Sequence, residues 1–160
     1  VTVLEHPVED LAGDGAFDSI LCLNVLEHIE DDEDALQRFR RQLRPDGRLL
    51  LLVPAHRFLF GGYDRAAGHL RRYDRATLRA LLHRAGFEIE ELRHVNPVGG
   101  LGWLARVRLR RGDEWPAGSF RTFDRLVPVL RHLDRLRLPF GLSLWAVARR
   151  SSSVDSAQAR

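Results

Sequence analysis

The chain has no lysine and no methionine among its 160 residues, and a single cysteine, Cys22. One cysteine excludes an internal disulfide framework and suits a reducing compartment. No apolar run approaches the roughly 20 residues that span a bilayer, and no signal-peptide pattern is present. A cytoplasmic location is the expectation. The absence of lysine leaves arginine as the source of all 25 basic charges. The first residue is Val1, and it opens directly on strand-like residues. The N-terminal part of the protein is therefore expected to lie upstream, where a targeting segment would go unseen.

At 44% hydrophobic composition with mixed charge, the chain supports a packed core and does not read as disordered. The net charge of +3 is unevenly spread. Residues 1–37 carry eleven acids and no arginine, whereas residues 93–150 carry twelve arginines against Asp113, Glu114, Asp124 and Asp134. Two solvated faces would account for this. Two different partners would also, with something anionic or interfacial at the basic end. No feature points to nucleic acid, and the oligomeric state is not legible.

The chain "FDSILCLNV" reads as a buried strand, because its apolar run is nearly continuous. "EDDEDALQRFRRQL" reads as a helix capped by Asp31 or Asp32, with Ala35, Leu36, Phe39 and Leu43 on one face. "RPDG" is a turn, and "RLLLLVP" a second buried strand stopped by Pro54. "DRATLRALLHRAG" is a helix with Asp74 as cap, Leu78, Leu81, Leu82 and Ala85 inward, and Gly86 as its stop. "FEIEELRHV" and "GLSLWAVARR" complete an alternation of strands and helices, the α/β pattern. Residues 97–140 form a helical insertion before the last strand, a cap over the binding face, and Pro128 interrupts its second helix. Residues 151–160 read as a disordered tail.

"FDSILCLNVLEHIEDDEDAL", "LRPDGRLLLLVP" and "LRALLHRAGFEI" resemble, in order and spacing, the later half of class I S-adenosylmethionine-dependent methyltransferases. The family pattern is a strand opening on "FD", an "LEH" turn at its end, a helix, a "P-G-G" turn before an apolar strand, and a later "AGF". Here the turn is Pro45-Asp46-Gly47, a mild departure. The likeness covers about residues 1–96, and Gly141 to Arg150 fits the family's last strand. It implies a truncated Rossmann-like α/β sheet, mostly parallel, with an antiparallel last strand. Residues 1–150 are then one partial methyltransferase domain. The glycine-rich loop and ribose-binding acid of the family are not found, and the G-x-G-x-x-A match at 99–105 stands in the wrong place.

The resemblance implies S-adenosyl-L-methionine as cofactor. It places Leu23, Asn24 and Val25 at a strand end beside the cofactor, with Glu9 or Asp10 near its adenine. His28 either fixes the turn or touches the ligand. Asp18 is expected to order the strand start and Glu27 to cap backbone donors. On the acceptor side, "GGYDRAAGHLRRYDR" concentrates polar residues in a loop at the functional edge of the sheet. His69 is the candidate general base, with Tyr63 second. Arg71 and Arg72 are candidates to grip an anionic group in a bidentate fork, with Tyr73 beside them. His69 and Tyr73 as packing residues that order the loop is the competing reading. His56, Asp64 and His69 match no common metal-ligand spacing, so no metal is expected. The function implied is methyl transfer to a small or lipid-linked acceptor, with peripheral membrane contact through 99–137 as an extension of it. The alternative is a non-catalytic fragment or interaction module that binds an anionic partner or surface through its basic helices.

Overall fold

The computed structural model describes residues 15–108 and 138–151, with side chains through Leu104 in the first segment. Asp10 and the expected third strand at Val1 to Val3 lie outside them. So do Pro128, most of the 97–140 insertion, and residues 152–160.

Four strands, β1 (Phe17–Leu23), β2 (Leu43–Pro54), β3 (Phe87–Val95) and β4 (Ser143–Arg150), form one sheet in the order β1-β2-β4-β3. β1 and β2 pair in parallel, Ser19 opposite Arg48 through Leu23 opposite Leu52. β4 slots between β2 and β3 and runs antiparallel to both, so the other three strands share a direction. This bears out the mostly parallel sheet with an antiparallel last strand.

Helix α1 (Asp32–Gln42) starts on Asp31, whose carboxylate accepts the Asp34 N–H at 2.9 Å. Its Ala35, Leu36 and Phe39 are buried, and the chain enters β2 through buried Leu43. "RPDG" is a turn within the bounds of β2. Leu43 pairs with Phe17, yet Arg48 already pairs with Ser19, so Arg44 to Gly47 bulge out of the ladder. Asp46 takes a positive φ of 62° there. Helix α3 (Arg75–Arg84) buries Leu78, Leu81 and Leu82. A five-residue helix α2 (Gly62–Ala66) breaks what reads as a plain loop. Helix α4 (Pro97–Arg108) opens the insertion.

Alternate residues of the sheet, Leu49, Leu51 and Val53 on β2 and Leu144, Ala146 and Ala148 on β4, are fully buried in one core with α1 and α3. Each such leucine contributes about 1.5–3 kcal/mol. β1 corrects the expectation of a strand buried on both faces. Cys22 is buried, but Leu21 is 64% and Leu23 44% exposed. α1 and α3 pack into the core that holds Cys22, and residues 21 and 23 point the other way, as alternation in a strand requires.

Arg40, near the C-terminal end of α1, is buried. Its Nε donates to the Gly86 carbonyl and its Nη2 to that of Ser151, both at 3.2 Å. Ser151 in turn donates its N–H to Gly86 at 3.1 Å and its hydroxyl to Glu88, so the residue placed first in the tail closes the sheet. Gly86 stops α3 with φ +82°, and a Cβ there would stand 2.7 Å from Arg40 Nε. Gly86→Ala should therefore destabilise the fold by about 1–2 kcal/mol from the left-handed backbone alone. A lower denaturant midpoint with unchanged m-value is the expected reading, and an unchanged midpoint would contradict it.

Candidate functional site

All three strands that share a direction end in a sharp turn at the same edge. Asn24 (φ 52°) follows β1, His56 (φ 63°) lies just beyond β2, and Asn96 (φ 57°) follows β3. Asparagine and histidine tolerate this left-handed conformation better than most residues. Asn24 thus has a backbone reason to be where it is: the chain leaves the strand there, after its N–H donates to Leu52 at 2.9 Å. Its side chain and those of Leu23 and Val25 remain exposed. They stand at the carboxyl ends of the strands, where α/β sheets bind ligands.

The chain then makes a single 3-10 turn, Leu26–His28. The segment that leaves β2 is tied back to β2 at both ends. His56 N–H donates to Tyr73 and Tyr73 N–H to Pro54. Between them, Leu70 N–H reaches the Glu27 carbonyl at 2.9 Å. That bond fastens the loop to the turn after β1.

Asp64 organises this loop. It is fully buried, and one of its oxygens accepts Arg72 Nε at 2.8 Å and faces His69 Nδ1 at 3.0 Å. The other accepts the Gly61 N–H at 2.9 Å. Arg72 has only 3% of its side chain exposed, gives a further bond to the Ala55 carbonyl, and lies 4.7 Å over the Trp103 ring. Trp103, from α4, donates its indole N–H to Leu59 and meets the Tyr63 ring edge to face at 5.1 Å. The first turns of the insertion therefore rest on this loop.

The substrate-side triplet is used internally. Arg72 is consumed by Asp64, and Arg71 pairs with Asp32 at 2.9 Å and the Glu30 carbonyl at 2.7 Å. Tyr73 is buried and donates its hydroxyl to Asp32 at 2.9 Å. Burial first, and then the Asp32 charge, push that phenol well above its usual range. Arg71 and Tyr73 hold the loop to α1, and Arg72 holds it together from within, in place of presenting a fork to solvent. Tyr63 is the exposed member, at 45%.

His69 and His28 meet edge to face with ring centres 4.8 Å apart, and His28 Nδ1 stands 3.1 Å from the Gly68 carbonyl. Glu27 escaped the sequence reading as more than a cap. It is fully buried, neither carboxylate oxygen has a hydrogen-bond partner among the described residues, and Oε1 lies 4.0 Å from His69 Nε2. Burial drives its carboxyl above the usual range, partly offset by its own nearby backbone N–H and then by His69, His28 and Arg72. Burial likewise pushes the Cys22 thiol up to about 11, with the Glu27 charge adding to it. Asp18 pairs with Arg44 at the exposed start of β1. His56 stacks between His94 and Phe140, and burial lowers its pKa. A groove of about 580 Å³ runs along β3 past Glu90, Arg93 and His94.

The profile of the family described as "Methyltransferase domain" matches residues 1–92. The chain belongs to this family. Within it, the methyltransferase domain is 32% identical over 93 residues to the Probable S-adenosylmethionine-dependent methyltransferase of Mycolicibacterium smegmatis, covering 57% of this chain and 36% of that protein. It is 41% identical over 46 residues to a ubiquinone biosynthesis O-methyltransferase of Xanthomonas oryzae pv. oryzae, covering 28% of this chain and 19% of that one. The chain thus spans well under half the length of these curated relatives. Among solved structures, the 1,6-didemethyltoxoflavin-N1-methyltransferase of Burkholderia thailandensis, bound to S-adenosylhomocysteine, superposes with a TM-score of 0.56 at 21% identity, over 93% of this chain and 50% of that chain. At that identity the likeness establishes the fold.

Removing the Asp64 carboxylate would leave Arg72 charged and buried without its partner. Asp64→Ala should cost about 3–5 kcal/mol of stability, measured by denaturant unfolding. A loss under 1 kcal/mol, the range of exposed ion pairs, would show that Asp64 does not hold the loop.

Proposed function

We propose that the protein transfers a methyl group from S-adenosyl-L-methionine to a small or lipid-linked acceptor. The observation that carries this reading is the meeting of two elements at the carboxyl edge of the sheet. One is the open strand end at Leu23, Asn24 and Val25. The other is the Asp64-held loop that brings His69 against the turn after β1. The cofactor lies along Leu23 to Val25, with His28 at its boundary. The acceptor approaches from the side of His69 and Tyr63.

Methyl transfer forms one bond from the acceptor's nucleophilic atom to the methyl carbon and breaks the carbon–sulfur bond. S-adenosylhomocysteine leaves, and the acceptor's proton must go elsewhere. Alignment supplies much of the rate in such a displacement. A group that makes the acceptor nucleophilic supplies more. With Nδ1 turned to Asp64, His69 keeps the lone pair on Nε2 for that task. Arg71, Arg72 and Tyr73 act by fixing the loop. On that side Trp103, from the first turns of α4, packs on Tyr63 and Arg72, so an acceptor approaching Tyr63 would meet its ring.

Calorimetric titration with S-adenosylhomocysteine, followed by transfer assays with methyl-labelled cofactor against phenolic, amine and lipid-linked acceptors, tests the reading in the intact protein. Asn24→Trp should weaken cofactor binding about tenfold or more, some 1.4 kcal/mol, with its far-UV spectrum unchanged. His69→Ala should leave cofactor affinity in place and cut turnover roughly 10²–10⁴-fold. Normal cofactor binding by Asn24→Trp would move the pocket elsewhere, and unchanged turnover would remove His69 from the chemistry.

A further inference from the structure

We propose that Glu27, His28 and His69 form a binding site for a divalent first-row transition-metal ion, zinc or a close neighbour, at the carboxyl end of β1. One ligand atom from each lies within 4.8 Å of the other two. Metal–ligand bonds of about 2.0–2.2 Å put neighbouring ligand atoms about 3–3.5 Å apart. The three side chains thus need to close by about 1 Å or slightly more, within the reach of side-chain torsions. His28 is exposed, so its ring has room for that adjustment.

Three independent features point the same way. The first is tautomeric. The Gly68 carbonyl can only accept, so the proton of His28 sits on Nδ1 and its lone pair on Nε2. Asp64, already accepting from Arg72 and Gly61, takes the Nδ1 proton of His69 and leaves Nε2 free there too. A carbonyl or carboxylate behind each imidazole is the arrangement that orients metal-binding histidines.

The second is Glu27 itself. A fully buried carboxylate with no hydrogen-bond partner on either oxygen among the described residues is costly unless a charge compensates it. The third is the donor set. Two imidazoles and one carboxylate suit zinc and its first-row neighbours and leave coordination positions open.

Metal binding stands on this geometry alone. Its consequence for catalysis rests on the methyl-transfer reading: an ion there would hold an acceptor oxygen and ease its deprotonation. The His69 lone pair would then serve the metal, in place of taking the proton directly.

The test is titration of chelator-treated intact protein with Co²⁺ and Zn²⁺ in the absence of methyl donor. It is followed by calorimetry and by the visible ligand-field absorption of cobalt. One equivalent of Co²⁺ should bind with a distinct absorption band, and Zn²⁺ should displace it. Glu27→Gln and His28→Ala should each weaken binding about tenfold or more, while His83→Ala, on the exposed face of α3, should not. Because His28 is exposed, His28→Ala decides the matter if Glu27→Gln fails to fold. Absence of a stoichiometric cobalt band, or wild-type affinity in His28→Ala, would overturn the site. Metal binding without methyl transfer to any acceptor would leave the site standing and count against the methyl-transfer reading alone.

Discussion

The buried carboxylate of Asp64 is the point on which the functional edge hangs. It is shielded from water and accepts from a buried arginine, a histidine ring and a backbone N–H. A buried charge pair of this kind is weak evidence for stability, since desolvation offsets much of the attraction. Its value lies in geometry. Arg72 cannot leave without stranding Asp64, and the ring of His69 cannot turn over without losing its Nδ1 contact. The loop between β2 and α3 is thereby fixed in one shape. Trp103 lies over the Arg72 guanidinium, extending that constraint to the first helix of the insertion.

The sheet supplies the second constraint. Because β4 runs antiparallel between β2 and β3, the three co-directional strands all release their chains at one edge. Left-handed turns at Asn24, His56 and Asn96 redirect each chain within one or two residues of its strand. The edge is therefore built from short, sharply bent segments that stay close to one another. The Leu70 to Glu27 backbone bond then sets the loop after β2 against the turn after β1. The opposite end of the sheet is closed by Arg40, Gly86 and Ser151, so its two ends differ in chemistry as well as direction.

Periodicity and punctuation made most of the fold legible. Asp31 before an acid-rich first turn, the inward row Ala35, Leu36 and Phe39, and Gly86 after "LHRA" each carry a local physical signal, and each residue sits as that signal implies. Long-range partnerships were not legible. Nothing local tells that Arg40 would be buried to cap two distant carbonyls. Arg71, Arg72 and Tyr73 looked available because arginine and tyrosine in a polar loop usually are. Their partners Asp32 and Asp64 are assigned by tertiary packing. Glu27 shows the same limit. Beside an exposed histidine and before an acidic run it reads as a cap, and only the fold reveals that it is buried, facing a histidine from another loop. The apolar run of β1 read as two-sided burial, while its alternate residues Leu21 and Leu23 are exposed.

The central claim is that Asp64 sets the His69 ring so that its Nε2 lone pair faces the turn after β1. Long-range proton–nitrogen correlation spectra of the histidine rings, recorded on metal-free protein above the imidazole pKa of about 6.5, read that tautomer directly. The account predicts a protonated Nδ1 and an unprotonated Nε2 for His69, with the pattern lost on replacing Asp64. A His69 that carries its proton on Nε2, or that averages between tautomers as in free imidazole, would contradict it.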